Sequence, residues 1–185
     1  LLFETIRCEN GKALNTSFHE ERMRRFGGRD FDLSFLSPPN GICRCKIIYA
    51  EDILSVGFLA YEKKEIKTLK LIESDISYSH KFVDRSDIEK LFALRGEADD
   101  VLVVKNGLLA DTSIANIALL DKNGRWLTPK APLLCGTMRQ KLLNDGFLSE
   151  ADIAAADISD FERVAIMNAL RGFEPLGRTE EVIRF

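Results

Sequence analysis

The sequence predicts a mixed α+β chain built largely from antiparallel hairpins. Three observations carry that expectation. Apolar residues alternate at period two in several stretches, most clearly from Ile42 to Ala50, where Cys43, Cys45, Ile47 and Tyr49 share one face and Arg44 and Lys46 the other. Asn10-Gly11 and Asn106-Gly107 follow or separate such stretches, as tight hairpins require. Capping-box patterns at Ser17 to Glu20 and Ser86 to Glu89 each open a run of helical character. There is no regular strand–helix–strand alternation and no Gly-rich nucleotide-binding pattern.

In order, Leu1 to Arg7 reads as a strand ending in the Asn10-Gly11 turn. A helix from about Phe18 to Phe26 follows, supported by Glu21 and Arg25 four residues apart and stopped by Gly27-Gly28. Ser37 to Gly41 is a loop. Strands are expected at 42–50, 53–61 and 66–72, the last two separated by the charged turn Glu62-Lys63-Lys64-Glu65. A helix runs from Ser86 to about Arg95. Asp100 to Lys105 and Leu108 onward form a hairpin, and Ile114 to Leu120 is a buried strand. The turn Asp121 to Gly124 leads into Trp126. A helix occupies about 137–144, ended by Gly146. Ser149 to Asp152 opens a short helix. Val164 to Met167 and Glu181 to Phe185 are strand-like.

The 185 residues suffice for one large or two small domains. With 45% apolar and 30% charged residues they support a packed core. A net charge of -3 gives no electrostatic reason to expect nucleic acid. No apolar run reaches the roughly 20 residues of a membrane helix, and no signal pattern opens the chain at Leu1. Cys8, Cys43, Cys45 and Cys135 lack the usual zinc spacing, with only His19 and His80 to assist. They read as small buried hydrophobes rather than metal ligands or disulfides, in a reduced, cytoplasmic protein.

Four stretches carry chemistry. They are His19-Glu20-Glu21-Arg22-Met23; Tyr78-Ser79-His80-Lys81 with Asp84-Arg85; Asp111-Thr112-Ser113-Ile114-Ala115-Asn116-Ile117; and Trp126-Leu127-Thr128-Pro129 followed by Leu133-Leu134-Cys135-Gly136-Thr137-Met138-Arg139. In this order and spacing they resemble the class IV aminotransferases, enzymes of fold type IV that use pyridoxal 5'-phosphate (PLP). The tail Met167-Asn168-Ala169-Leu170-Arg171-Gly172 looks most like the 4-amino-4-deoxychorismate lyase branch.

The resemblance implies a role for each matching residue. Lys81 matches the Schiff-base lysine, an amine able to act as nucleophile and then as proton shuttle. Asp111 matches the carboxylate that faces the pyridine nitrogen, where the family usually has the longer Glu. Arg22 matches the arginine on the cofactor phosphate, which a guanidinium fork suits. Thr137 and Met138 fall where a helix N-terminus lies under that phosphate; the family often has Ile-Thr there, so the hydroxyl has moved by one residue. Asn168 falls near a third phosphate-side contact. Arg44, on the strand that lines the substrate side, matches a position suited to a substrate carboxylate. Tyr49 and Tyr61 read equally as core or site, and His19 as packing against or orienting the Arg22 helix.

The resemblance further implies two domains, a small N-terminal α/β domain over residues 1–68 and a β-rich pseudo-barrel over residues 69–185 carrying Lys81, with the cofactor between them. It implies an amine or amino-acid substrate and a homodimer. The favoured activity is conversion of aminodeoxychorismate to 4-aminobenzoate and pyruvate, a step toward folate. An amino-acid aminotransferase of branched-chain or D-amino-acid type is the alternative, and a PLP-binding protein without catalysis the second alternative.

Overall fold

The computed structural model describes residues 1–185 and divides the chain into two units, Leu1–Lys63 with His80–Asp84, and Lys64–Ser79 with Arg85–Phe185. The break falls after Lys63 rather than after residue 68, and the segment bearing Lys81 groups with the first unit. Backbone pairing is the reason. Phe3 N–H donates to the Lys81 carbonyl at 2.9 Å, Val83 N–H donates to the Leu1 carbonyl at 3.1 Å, and Leu2 forms a bridge with Phe82.

The first unit holds β1 (Leu2–Glu9), β2 (Lys12–Ala13), α1 (Thr16–Gly27), β3 (Ile42–Tyr49) and β4 (Ile53–Ala60). The strands form an antiparallel sheet in the order β2-β1-β3-β4. Alternation sorts the side chains: Ile6, Cys8, Cys43, Cys45, Ile47 and Tyr49 form the core with Met23 and Leu33. Each fully buried aliphatic side chain here contributes about 1.5–3 kcal/mol. Helix α1 buries His19, Arg22 and Met23, three positions on one face. The expected capping box at its start does not form, because Glu20 turns away and accepts the Leu33 N–H at 2.8 Å. Asn15, at φ 54°, stands at the cap position instead. Gly28 ends the helix at φ 72°, its N–H donating to the Arg24 carbonyl.

The second unit holds β5 (Leu69–Glu73), α2 (Ser86–Ala93), β6 (Asp100–Lys105), β7 (Leu108–Thr112), β8 (Asn116–Leu120), β9 (Trp126–Pro129), α3 (Thr137–Asn144), β10 (Leu148–Ala151), a 3₁₀ turn (Ala155–Asp160), β11 (Arg163–Asn168), β12 (Gly172–Arg178), α4 (Thr179–Val182) and β13 (Ile183–Arg184). Its nine-stranded sheet runs β10-β9-β8-β7-β6-β5-β13, with β11 also pairing β8 and carrying β12 at its side. The β6–β7 turn has Asn106 at φ 52° and Gly107 at φ 75°, the mirror-image turn that matches strand twist. The main core of this unit gathers Leu69, Leu102, Ile117, Leu119, Val164 and Ile166.

Several elements differ from expectation. Lys67 and Thr68 are held out of β5 by the Asp99 carboxylate, which accepts both their N–H groups. Ser149 to Asp152 forms no helix: Leu148–Ala151 is strand β10, parallel to β9. In the tail, Thr179–Val182 makes one helical turn, and only Ile183 and Arg184 pair with β5.

Candidate functional site

In the first unit a buried carboxylate organises the helix that carries Arg22. Glu4, on the core face of β1, is fully buried. Its Oε1 accepts Arg22 Nε at 2.9 Å, and its Oε2 accepts Arg22 Nη2 at 2.5 Å. His19 Nδ1 lies 2.6 Å from the same Oε2. Burial alone would push the Glu4 carboxyl up; the Arg22 charge and the bonds from His19 and Arg22 outweigh it and hold the group at about 2. Burial pushes the His19 imidazole down, against the pull of Glu4. The cluster at neutral pH is therefore a carboxylate, a guanidinium and a neutral imidazole donating through Nδ1.

Cations also gather around Phe3, the neighbour of Glu4 on β1. Lys81, half-buried, holds its ammonium 4.6 Å from the centre of the Phe3 ring, and Lys46 lies 5.5 Å from it. Arg44 shares the face of Lys46 and pairs in register with Arg7, while its Nε is buried without a hydrogen-bond partner. His80, next to Lys81, packs its ring 4.3 Å from Phe26 and 5.4 Å from Phe82. Tyr49 belongs to the core.

In the second unit the organising group is Asp111, 4% exposed at the end of β7. Its Oδ1 accepts Asn116 Nδ2 at 2.8 Å, and its Oδ2 accepts the Leu134 N–H at 2.9 Å. Asn116 also donates to the Leu134 carbonyl at 2.8 Å, so one side chain ties the carboxylate to the loop before α3. Burial raises the Asp111 carboxyl to about 6, with the Leu134 N–H, Asn116 and the Arg139 charge opposing the rise. Gly136 is where α3 begins, and a Cβ on it would lie 1.9 Å from Asn116 Oδ1. Glycine is thus what lets this loop close on Asn116.

Thr137 is buried at the first turn of α3, whose start carries no side-chain cap. The Met138 side chain packs beside Leu148 and Met167, so its contribution to an anion would be its N–H. Asn168 spends its side chain locally: Nδ2 donates to the Ile114 carbonyl at 3.1 Å, and Oδ1 accepts the N–H groups of Leu170 and Arg171. It shapes the β11–β12 turn and ties it to the loop after Asp111. Arg85 reaches the same loop, donating to the Ser113 carbonyl at 2.8 Å.

Sequence reasoning missed Glu4, Asn116 and Arg85 as organisers. Glu4 had a signal: it shares strand parity with the inward Ile6 and Cys8, and a charge at an inward position demands a partner. Cys135, expected buried, is exposed, whereas Cys8, Cys43 and Cys45 pack in the first core.

The model of the amino-transferase class IV family matches residues 74–177. A Haemophilus influenzae protein named only "Uncharacterized protein" is 38% identical over 185 residues, covering 92% of this chain and 98% of its own. The chain belongs to the class IV aminotransferase family, a family of PLP-dependent transferases and lyases. A crystal structure of "a putative 4-amino-4-deoxychorismate lyase" from Haemophilus somnus 129PT matches at a TM-score of 0.82 and 33% identity, covering 92% of this chain and 96% of that one. A fold IV transaminase from Curtobacterium pusillum shares the fold at a TM-score of 0.74 and 17% identity, over 94% of this chain and 77% of that one. The aminodeoxychorismate lyase of Saccharomyces cerevisiae is 38% identical over 74 residues, 37% of this chain and 20% of that protein. No helix is long and apolar enough to cross a membrane.

The residues present suit the family's cofactor in their chemistry. Lys81 supplies a primary amine and Asp111 a buried carboxylate whose two oxygens have lone pairs beyond the two donors they accept. Arg22 and the uncapped start of α3 supply donors of the kind a phosphate takes.

Proposed function

We propose that this chain is a PLP-dependent lyase that converts aminodeoxychorismate to 4-aminobenzoate and pyruvate. The observation that carries the cofactor reading is the setting of Asp111, a buried carboxyl pushed up to about 6 and aimed by Asn116 and the Leu134 N–H. Such a group can share a proton with a ring nitrogen and keep it there. The choice of lyase is supported by the likeness to the Haemophilus somnus structure along nearly the whole chain, and by the shorter match to the yeast lyase.

In this reading Lys81 Nζ would hold the cofactor at its aldehyde carbon, Asp111 would face the ring nitrogen, and Arg22 with the Thr137 and Met138 N–H groups would hold the phosphate. Asn168 acts there by fixing the loop rather than by direct contact. PLP, when bound, supplies a sink for the electron pair left as a C–H bond beside the substrate nitrogen breaks. Lys81 would take that proton on Nζ. Arg44 and Lys46 offer cations to substrate carboxylates. The proposed assembly is a homodimer, which a monomer by light scattering at micromolar concentration would contradict.

The test has two parts. PLP added to the protein should give an absorbance band near the visible edge that is lost in Lys81→Ala. The loaded protein should then release pyruvate from aminodeoxychorismate with no keto acid present. A strict keto-acid requirement refutes the lyase and leaves the second reading, an amino-acid aminotransferase, which the family match supports. Bound PLP with no turnover of either substrate class would favour a binding protein.

A further inference from the structure

An arginine side chain is long and flexible, and it makes a sharp phosphate ligand only when something fixes the plane of its guanidinium. In the first unit that something is Glu4. Both of its oxygens grip one edge of the fork, Nε at 2.9 Å and Nη2 at 2.5 Å, and His19 Nδ1 holds the second oxygen at 2.6 Å. Glu4 and His19 are fully buried, and Arg22 is 7% exposed.

Core packing does not call for this arrangement. Glu4 shares its strand face with Ile6, Cys45 and Ile47, and an apolar residue there would pack with no desolvation cost. The group nevertheless stands on the core face of β1, where its side-chain partners are the two polar residues that α1 turns inward at positions 19 and 22. A side-on grip of the Nε/Nη2 edge sets the direction of the other edge of the planar fork, the one formed by Nη1 and Nη2. The grip has an opposing effect, since a carboxylate beside Arg22 weakens its pull on an anion.

We propose that Glu4 and His19 are positioning residues, which fix the Arg22 guanidinium so that its Nη1/Nη2 edge meets the cofactor phosphate, and that this orientation outweighs the charge Glu4 cancels. The inference rests on the reading that Arg22 holds that phosphate. It concerns residues beyond the donors and acceptors that touch the cofactor.

The test compares PLP with pyridoxal, which has the same aldehyde and ring and lacks the phosphate. Dissociation constants for both are measured by titrating the Lys81-dependent absorbance in the full chain, and their ratio isolates the phosphate contribution. Glu4→Gln keeps the shape and removes the charge. It should reduce the preference for PLP at least tenfold while leaving pyridoxal affinity within about twofold. The double variant Glu4→Gln with Arg22→Gln should lose no more preference than Arg22→Gln alone, because Glu4 acts through Arg22. Equal loss for both ligands, additive losses in the cycle, or tighter PLP binding by Glu4→Gln would each overturn the proposal. Should Glu4→Gln fail to fold, His19→Gln is the second variant: a phosphate-specific loss of about threefold is expected, and none overturns it. If Arg22→Gln itself loses no preference, the phosphate role of Arg22 falls and this inference with it. If Arg22→Gln loses it and Glu4→Gln does not, only this inference falls.

Discussion

At the scale of single residues, the arrangement around Asp111 hangs on a glycine. Gly136 leaves room for Asn116 Oδ1, and Asn116 in turn holds Asp111 and the Leu134 carbonyl. In Gly136→Ala the new Cβ would sit 1.9 Å from that oxygen, so Asn116 must swing away and release both partners. Overpacking plus the loss of buried hydrogen bonds should cost about 2–3 kcal/mol in urea denaturation; an unchanged midpoint would mean the loop yields freely. Asp111 itself supplies a pH signature. Its folded carboxyl stands at about 6, above the ordinary 3.8. The folded protein therefore holds this proton more tightly than the unfolded chain. The stabilisation is fully present below the unfolded value and lost as pH rises through 6. Asp111→Asn cannot titrate, so the stability of the native protein relative to that variant should fall by about 2.4 kcal/mol between pH 4 and pH 7. Urea midpoints of the two proteins across that range measure it, and a constant difference would show that Asp111 is not desolvated.

At the scale of elements, α3 is tied to its sheet by one arginine. Arg139 is 3% exposed, and its Nη2 donates to the Pro129 carbonyl at 2.8 Å and to Glu150 on β10 at 2.6 Å. Removing Glu150 strands a buried cation whose Nε already lacks a partner. Glu150→Ala should then cost about 2 kcal/mol although Glu150 is half exposed, whereas Asp145→Ala, which deletes the exposed partner of Lys141 on the same helix, should change stability by less than about 0.5 kcal/mol. Equal small effects on the two urea midpoints would refute the clamp. The same pair explains a misreading. Ser149 to Asp152 carries a helix-start pattern, but Glu150 is drawn to Arg139 and the backbone pairs with β9, contacts from which local sequence says nothing. Strand β12 escaped notice because Pro175 and Gly177 interrupt its pattern; it is tolerated because β12 pairs on one side only. What was legible was local. The alternation of β1 and β3, the Asn106-Gly107 hairpin, the C-terminal end of α1 and the ends of α3 follow from period and turn chemistry. The motifs that resemble the family's were visible in the sequence as well. Their supports were not, because Glu4 beneath Arg22 and Asn116 beneath Asp111 are pairings made only when the chain folds.

At the scale of the whole molecule, the proposed lysine and its proposed counter-carboxylate belong to different units, Lys81 to the first and Asp111 to the second. One cofactor engaged by both would make the units unfold as a pair, since a ligand that binds only the folded state stabilises every part it requires. Each unit has its own reporter. Trp126, the only tryptophan, lies on β9 of the second unit. Cys8, Cys43 and Cys45 are buried in the first core and react with a thiol reagent only on opening, while the exposed Cys135 reacts at once and is subtracted. PLP at about a hundredfold over its dissociation constant should raise the stability seen by both reporters by about 2.7 kcal/mol. The urea curves for Trp126 fluorescence and for thiol reactivity should shift together, and Lys81→Ala should shrink both shifts. A shift in the tryptophan curve alone would mean that the phosphate and ring are held by the second unit without Lys81. A shift in the thiol curve alone would remove Asp111 from the site. Either result would break the pairing of amine and carboxylate on which the proposed chemistry depends, because without a carboxylate to keep its ring nitrogen protonated the cofactor would be a weaker sink for electrons from the substrate carbon.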